Sequence, residues 1–359
     1  MHISFFIGDM VSGGAERVIQ LLSNHFVRTG WKVDIVLLLS GIVNKEQFPL
    51  DDSISIIDLS QKGTSYSSNA IKWLAAIRKY VINEKPDCIV SFIGRINALV
   101  LTSTLGINIP IIVSERNDPK HDGRGIIMRE YCNFIYNRAK AIVFQTQYEK
   151  SCFSSKLEGK SFVIENPVMI SKVDNIEENP LEISTAGRLV PQKNHALLIE
   201  AISLVAQKYP NVRCEIYGEG EQRQVLENII NKLELSHNVH LPGNKTDIYK
   251  WIAKSSVFVL SSEYEGLSNA LIEAMMLGKA CISTDYPGVD EVIENGVNGI
   301  IVARGDSEQL AEKIDQLISD STYRNLLAAN AQRTSHKYET DEVVKKWKHI
   351  IEQCCNINE

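Results

Sequence analysis

The most constraining feature of this 359-residue sequence is a pattern that starts twice: an apolar strand, a glycine loop and an amphipathic helix. The first copy occupies residues 2–28, and its loop contains Gly13 and Gly14. The second copy occupies residues 181–209, and its loop begins at Gly187. Strand–helix–strand units of this kind build parallel sheets with right-handed crossovers. The pattern therefore predicts two α/β domains in tandem.

The boundary between the two domains is predicted at a proline. Asn166-Pro167 is followed by a polar, acidic stretch, residues 171–180, which has the composition of an interdomain linker. We expect residues 1–165 to form the first domain and residues 166–335 the second. Further apolar runs predict the other strands: 31–39, 54–58, 87–92, 109–114, 141–145, 212–217, 239–241, 257–260, 280–284 and 299–302.

Composition limits the class of protein. The chain is 44% hydrophobic and 23% charged, which is ordinary for a soluble protein. It has seven cysteines without a C-x-x-C pair, so we expect reduced thiols, no metal site and a cytoplasmic location. The sequence enters a strand at once and lacks a run of about 18 apolar residues, so we expect neither a signal peptide nor a membrane span. A pI near 5.8 without a basic stripe argues against binding to nucleic acid.

The stretch 262–274 carries the strongest chemical signal. It follows the apolar run 257–260 and leads into a helix predicted over 270–277. Gly266 permits close approach of the backbone to a ligand, and the start of the helix offers N–H groups that suit a phosphate. Glu265 and Glu273 flank this loop, and carboxylates accept hydrogen bonds from sugar hydroxyls. The combination indicates a site for a nucleotide sugar.

The spacing Glu265-x7-Glu273 resembles the E-x7-E motif of family 4 glycosyltransferases, which are retaining enzymes of the GT-B fold. Arg188 and Lys193, five residues apart after a predicted strand, resemble the G-R-x4-K pattern of the same family. Other positions that fit are the glycine pair 13–14, the Asn-Pro hinge, Gly218 with Gly220, and Gly288 with Glu291. The resemblance implies an α/β GT-B fold, in which two Rossmann-like parallel-sheet domains face each other across a cleft. It also implies that the tail helix, predicted within residues 336–359, packs on the first domain.

The resemblance further implies roles for individual residues. Arg188 and Lys193 would hold the diphosphate of the donor, a UDP-sugar, together with the backbone of Gly266 and Leu267. Glu273 would bind the donor ribose and Glu265 the donor sugar. The remaining implied donor-binding positions are Gly13, Gly14, Gly218 and Glu219. Asp-x-Asp does not occur in the sequence, so we expect no metal clamp and no cofactor beyond the sugar nucleotide.

The first domain contributes two loops whose roles remain open at the level of sequence. Many family 4 enzymes have a histidine in the loop that here is 114–119, and Arg116 takes its place as a candidate catalytic group for phosphate or sugar oxygens. The loop 12–17 is either a ligand loop or a turn that only geometry requires. It lacks G-x-G-x-x-G, which argues against a dinucleotide-dependent oxidoreductase. A same-fold epimerase and a non-catalytic nucleotide-sugar-binding subunit stay as alternatives.

Charge and aromatic residues suggest where the acceptor lies. Residues 1–165 carry 19 Lys and Arg against 16 Asp and Glu, whereas residues 166–359 carry 19 against 28. The predicted helix 69–83 combines basic and aromatic residues that suit a membrane surface: Lys72, Arg78, Lys79, Trp73 and Tyr80. The alternative explanation of the charge difference is drift in surface composition. The alternative for the helix is that it covers the sheet and exposes its basic face to water. We expect a glycan or polyprenyl-diphosphate-linked sugar acceptor, with peripheral attachment to the inner face of the cytoplasmic membrane.

Overall fold

The computed structural model describes residues 1–11, 13–60, 70–170, 173 and 176–355. Ser12 of the first glycine loop, residue 69 of the basic helix and residues 171, 172, 174 and 175 of the predicted linker lie outside the described part. The same holds for residues 61–68 and 356–359.

The chain divides into two compact units. Unit 1 comprises Met1–Pro167 together with Thr340–Glu359, and unit 2 comprises Val168–Glu339. The tail therefore belongs to the same unit as the amino-terminal half of the chain.

Unit 1 is built on a seven-stranded parallel sheet with strand order β3-β2-β1-β4-β5-β6-β7. Its strands are β1 His2–Ile7, β2 Lys32–Leu37, β3 Ser55–Asp58, β4 Cys88–Phe92, β5 Ile111–Ser114, β6 Ala141–Phe144 and β7 Ser161–Val163. Its helices are α1 Gly14–Arg28, α2 Ala70–Glu84, α3 Gly94–Ser103, α4 Ile126–Ile135 and α5 Gln147–Ser151, and α12 Thr340–Cys354 is added from the tail.

Helices cover both faces of this sheet. One face packs against α1 and α12, and Trp347 of α12 is fully buried there with Phe5 and Phe92. The other face packs against α2, α3 and α4, through residues such as Ile77 and Leu101. Burial on both faces explains why the strands read as nearly continuous apolar runs instead of alternating.

Unit 2 is built on a six-stranded parallel sheet with strand order β10-β9-β8-β11-β12-β13. Its strands are β8 Asn179–Ala186, β9 Arg213–Tyr217, β10 Val239–Gly243, β11 Ser255–Leu260, β12 Ala280–Thr284 and β13 Ile300–Val302. Its helices are α6 His195–Lys208, α7 Arg223–Lys232, α8 Ile248–Ile252, α9 Asn269–Met276, α10 Ser307–Ser319 and α11 Ser321–Ser335.

The structure confirms the predicted fold class of two doubly wound parallel-sheet domains. All ladders between named strands are parallel in the described part of the chain. In both units the strand order reverses beside the first strand, between β1 and β4 and between β8 and β11. Such switch points are where open α/β sheets bind ligands.

Two helical features differ from expectation. The tail helix begins at Thr340, because residues His336–Tyr338 form a separate 3-10 turn in unit 2. Helix α4 was not predicted at all. No helix in the described residues has the length and apolar content that crossing a membrane would require.

Candidate functional site

The switch point of unit 2 brings together the loops that follow β8 and β11. These two strands are hydrogen-bonded neighbours at the centre of the sheet, and both run in the same direction. The loop 187–194 and the loop 261–268 therefore emerge side by side, although about 70 residues separate them along the chain. This places the two segments that carried the chemical signals of the sequence in one location.

An ion pair between Lys193 and Glu265 joins the two loops. The Lys193 Nζ atom lies 2.5 Å from Glu265 Oε1, and the side chains are only 14% and 8% exposed. The Ser262 hydroxyl donates to the same carboxylate oxygen at 2.6 Å. Gln192 donates to the Tyr264 carbonyl at 2.8 Å, beside the second carboxylate oxygen of Glu265. The sequence predicted Lys193 and Glu265 as separate ligand contacts, whereas the structure pairs them with each other.

Further hydrogen bonds fix the relative position of the two loops. The Glu263 N–H donates to the Gln192 carbonyl at 2.8 Å, and Ser261 donates to the Lys193 carbonyl at 2.9 Å. Asn194, in the left-handed conformation at the start of α6, donates to the Glu263 carboxylate. The position of the Lys193 ammonium group is therefore fixed both by a hydrogen bond to the Lys193 backbone and by the ion pair of its side chain. Such preorganisation is what electrostatic stabilisation of a reacting group needs.

Two predicted glycines act on the geometry of this site. A Cβ atom at Gly218 would lie 1.9 Å from the Gly187 carbonyl oxygen, and one at Gly220 would lie 2.3 Å from that of Leu189. The Leu189 N–H donates across the same contact to the Glu219 carbonyl at 2.9 Å. Glycine is required at both positions because the loop after β9 packs against the backbone of the loop after β8. The Glu219 carboxylate pairs with Arg223 at the surface.

Arg188 supplies a cation that is open to solvent. Its side chain is exposed, and no carboxylate of the described residues lies within ion-pair distance of its guanidinium. His195 lies behind it, with Nε2 3.3 Å from the Arg188 carbonyl oxygen, and burial lowers the pKa of His195 to about 4. A neutral His195 donates this hydrogen bond without adding charge to the site.

The start of α9 adds backbone donors next to Glu265. Ser268 caps the helix by accepting from the Leu271 N–H at 3.5 Å. In the described part of the chain, the N–H groups of Gly266 and Leu267 donate to no acceptor. Free N–H groups at the start of a helix attract phosphate oxygens. With Arg188 and Lys193, they form a positively polarised edge that suits a diphosphate.

Glu273 lies in the middle of α9 and is 8% exposed. The Tyr249 hydroxyl, from α8, donates to its Oε1 at 3.3 Å and lies 3.2 Å from the Met169 carbonyl oxygen. The structure therefore gives Glu273 a tyrosine partner that sequence analysis missed. Tyr249 lies six residues before β11, and nothing in the sequence there could have identified it as a partner of Glu273.

In unit 1 the predicted glycine loop leads directly into helix α1. Gly13 is the N-cap of α1 with φ 147°, and Gly14 is the first residue of that helix. A Cβ atom at Gly13 would lie only 2.5 Å from the Glu16 Oε2 atom. Burial raises the pKa of Glu16 to about 7. The role of Gly13 and Gly14 in donor binding stays a prediction.

Arg116 is buried in unit 1 between two aromatic rings. It is 7% exposed, and its guanidinium packs 5.4 Å from the Phe92 ring and 5.3 Å from the Trp347 ring. It donates to the Asn166 side chain at 2.9 Å, and burial lowers its pKa to about 10, so it stays charged. These contacts give Arg116 a structural role within unit 1, and the catalytic role predicted for it stays a prediction. The tail helix, distant in sequence, is what buries Arg116.

The neighbouring Glu115 is also structural, and sequence analysis missed its partner. The Arg124 guanidinium forms a bidentate ion pair with the Glu115 carboxylate, with N–O distances of 2.9 and 3.0 Å. The Tyr136 hydroxyl donates to the same carboxylate. A Cβ at Gly94 would lie 2.0 Å from the Arg124 Nη1 atom, so glycine makes room for the guanidinium. The charged side chains of the loop after β5 thus belong to a buried network of contacts within unit 1.

Helix α2 does not place its aromatic residues at the surface. Trp73 is 2% exposed and Tyr80 is 6% exposed, and the Tyr80 hydroxyl donates to Asp34 at 2.6 Å. Both side chains belong to the core of unit 1. The aromatic part of the membrane argument for residues 69–83 is therefore wrong, because these side chains point inward, whereas Lys72 and Lys79 remain exposed.

Two doubly wound parallel sheets in one chain, with cations and carboxylates at the switch point of the second, are the architecture of the GT-B class of glycosyltransferases. The family model described as Glycosyltransferase Family 4 matches residues 12–172, and that described as Glycosyl transferases group 1 matches residues 169–334. The two models together span both units, and the chain belongs to this family of glycosyltransferases.

Individual relatives match over nearly the whole chain. One is an α-1,4-N-acetyl-D-galactosaminyltransferase of Campylobacter jejuni, named for an undecaprenol-diphosphate-linked glycan, with 26% identity over 99% of both chains. Another is an amylovoran biosynthesis glycosyltransferase of Erwinia amylovora, with 25% identity over 95% of this chain and 96% of its own. Among solved structures, HepE of Anabaena in complex with UDP-glucose superposes with a TM-score of 0.81, at 18% identity, over 98% of this chain and 99% of its own.

Proposed function

We propose that this glycosyltransferase moves a sugar from a UDP-linked donor to a lipid-linked glycan, with retention at the anomeric carbon and without a metal ion. The observation that carries the proposal is the Lys193–Glu265 pair at the switch point of unit 2, beside the exposed guanidinium of Arg188. The Campylobacter relative, which is named for a lipid-linked acceptor, and the UDP-glucose complex of HepE support the choice of substrates.

The donor diphosphate would lie along the positively polarised edge of this site. Arg188 is free to turn toward a ligand, and Lys193 is held in place by Glu265. The N–H groups of Gly266 and Leu267 would donate to the phosphate oxygens. These groups supply the positive charge that a metal ion supplies in other glycosyltransferases, so the proposal includes none. Glu273, bonded to Tyr249, would accept from the donor ribose.

The transfer step would take place on one face of the donor sugar. The bond between the anomeric carbon and the donor phosphate oxygen breaks, and the acceptor hydroxyl oxygen forms a bond to the same carbon from the same side. The acceptor proton passes to the departing phosphate oxygen, so the products are UDP and the extended glycan. Arg188 and Lys193 would stabilise the charge that develops on the leaving diphosphate. Glu265 would orient the sugar while it holds Lys193.

The acceptor is proposed to be a polyprenyl-diphosphate-linked glycan at the inner face of the cytoplasmic membrane, which the enzyme reaches by peripheral attachment. The Campylobacter relative is named for an acceptor of this chemistry. The Erwinia relative is named for amylovoran biosynthesis. Both names support a role in the biosynthesis of a glycan.

The experiment is release of nucleotide from a panel of sugar nucleotides, with and without a lipid-linked glycan and with and without a chelator. We expect release from one UDP-sugar that depends on the acceptor and is unaffected by chelation. NMR of the product should show the same anomeric configuration as the donor.

Other outcomes would change the proposal in defined ways. Release without any acceptor would favour the epimerase alternative. Binding of UDP without release would favour a non-catalytic subunit. Loss of activity on chelation would overturn the metal-independent step, and an inverted product would overturn the retaining one.

A further inference from the structure

Helix α4 of unit 1 exposes an apolar face that nothing in the described structure covers. Ile126, Ile127 and Phe134 are 79%, 88% and 72% exposed, and Tyr131 is 37% exposed. Residues 127, 131 and 134 are four and three positions apart, so they lie on one face of the helix. Single exposed apolar residues are ordinary, whereas a cluster on one helix face marks an interaction surface.

The opposite face of the same helix is already used for folding. Cys132 and Ile135 are buried in the core between α4 and the sheet. Helix α4 therefore does not need an apolar outer face in order to pack on unit 1. It carries apolar side chains in addition to those that fold the helix onto the sheet.

Basic residues frame this apolar face. Residues 120–140 contain five Lys and Arg and two Asp and Glu. Asp122 and the buried Arg124 pair with each other, which leaves four basic residues and one acidic residue, the exposed Glu130 of α4. Near the end of α4, the exposed Arg138 donates to the Leu101 carbonyl at 3.2 Å, and Lys160 donates to the Asn137 carbonyl at 2.6 Å.

The neighbouring helices extend the same kind of surface. On α2, Ile71 is 82% exposed and Ile82 is 49% exposed, with Lys72 and Lys79 exposed between them. Leu105, just after α3, is 50% exposed, and Arg78 donates to its carbonyl at 2.8 Å. On the other side of the sheet, α1 and α12 have no large apolar residue of comparable exposure among the described residues. One helical layer of unit 1 is thus both apolar and basic at its surface, and the other is not.

We propose that the outer face of α4 docks on an anionic lipid leaflet, with Ile126, Ile127 and Phe134 inserted below the headgroups. Insertion of apolar side chains flanked by basic residues is the way interfacial helices bind such a surface. A second copy of the chain fits less well, because a two-fold contact would bring the basic frame against itself. The proposal rests on the proposed function, since it names the surface that carries the enzyme to a lipid-linked acceptor.

The test is sedimentation of the full chain with vesicles of phosphatidylcholine alone or mixed with phosphatidylglycerol. We expect binding to the mixed vesicles at low salt and weaker binding at high salt, because the basic residues are screened. The double variant Ile127→Asp/Phe134→Asp should lower the partition coefficient at least about tenfold, since it removes two inserted apolar side chains. The matched control is Leu326→Asp on α11 of unit 2, a residue 56% exposed, which should bind as the unchanged chain does.

Three results would overturn the docking surface: no sedimentation with anionic vesicles at low salt, equal binding by the double variant, or a dimer that the double variant dissociates while no vesicle is bound. Transfer to a water-soluble acceptor analogue separates this proposal from the proposed function. A double variant that keeps this transfer but loses vesicle binding supports docking. An unchanged chain that binds vesicles but consumes no sugar nucleotide supports docking and removes the proposed function.

Discussion

The two units share a topology but use the edges of their sheets differently. In unit 2, the loops that meet at the switch point hold a lysine–carboxylate pair and leave Arg188 open to solvent. In unit 1, the charged loop after β5 turns inward, where Arg116 packs between two aromatic rings and Glu115 is bound by Arg124. A charged loop after a parallel strand is therefore not enough to mark a catalytic group. The side chain must also remain accessible when the rest of the unit has folded.

The largest expected effect is on catalysis in unit 2. Lys193→Ala removes a fixed cation and leaves the Glu265 carboxylate without its ion-pair partner. We expect kcat to fall by about 10²–10³, as it does when one preorganised donor is removed from a reacting site. Steady-state turnover with the preferred donor measures the loss, and thermal unfolding shows whether the fold is kept.

The matched control for this change is Lys208→Ala. Lys208 forms a surface ion pair with Asp315 at 2.7 Å in the same unit, and such pairs contribute about 0–1 kcal/mol. A folded Lys193→Ala variant that turns over within twofold of the unchanged enzyme would remove Lys193 from the proposed mechanism.

The second effect concerns stability in unit 1. Arg116→Met keeps the aliphatic packing but removes the charge between Phe92 and Trp347 and the hydrogen bond to Asn166. We expect the free energy of unfolding to fall by about 1.5–3 kcal/mol, a magnitude typical of a hydrogen bond to a charged group. The kcat of the folded fraction should not change. Denaturant unfolding and turnover, measured on the same preparation, check both statements.

Arg95→Met is the control for that substitution, because Arg95 is an exposed arginine of the same unit that donates to the Gly123 carbonyl. It should change stability little. If Arg116→Met instead abolished turnover and left unfolding untouched, the contrast between the two units would fail and the catalytic role predicted for Arg116 would be supported.

The smallest expected effect separates the two glutamates within unit 2. Glu273→Ala should weaken binding of UDP about tenfold, or roughly 1.4 kcal/mol, because it removes the proposed acceptor of the ribose hydroxyls. Glu273→Gln should lose less, since an amide oxygen still accepts. Calorimetric titration with UDP gives both affinities. A loss of affinity in Glu265 variants alone would mean that the two roles are reversed.

Much of the fold could be predicted from the sequence because parallel strands buried on both faces appear as uninterrupted apolar runs, such as β4 and β11. The contacts of the site could not. Lys193 and Glu265 are 72 positions apart, and Arg116 is buried by Trp347, which lies much further along the chain. Such partners depend on which strands lie side by side.

Which side chains of a helix are buried was harder to predict than the helix itself. Helix α4 has apolar residues on its inner and outer faces, so their presence in the sequence does not show which of them pack in the core. The aromatic part of the membrane hypothesis for α2 was wrong for a related reason. Its basic and aromatic residues are interleaved in the sequence, and only the structure shows that Trp73 and Tyr80 point to the core while Lys72 and Lys79 do not.

Helix α12 also imposes an order on the synthesis of the protein. Its buried residues, from Val343 to Cys354, complete the core of unit 1 around β1 and α1. The ribosome must therefore translate all of unit 2 before the unit that begins the chain can close. Domains usually fold in the order in which they emerge. In this chain, the half that is made first is the half that is finished last, and until then its sheet exposes the apolar surface that Trp347 will cover.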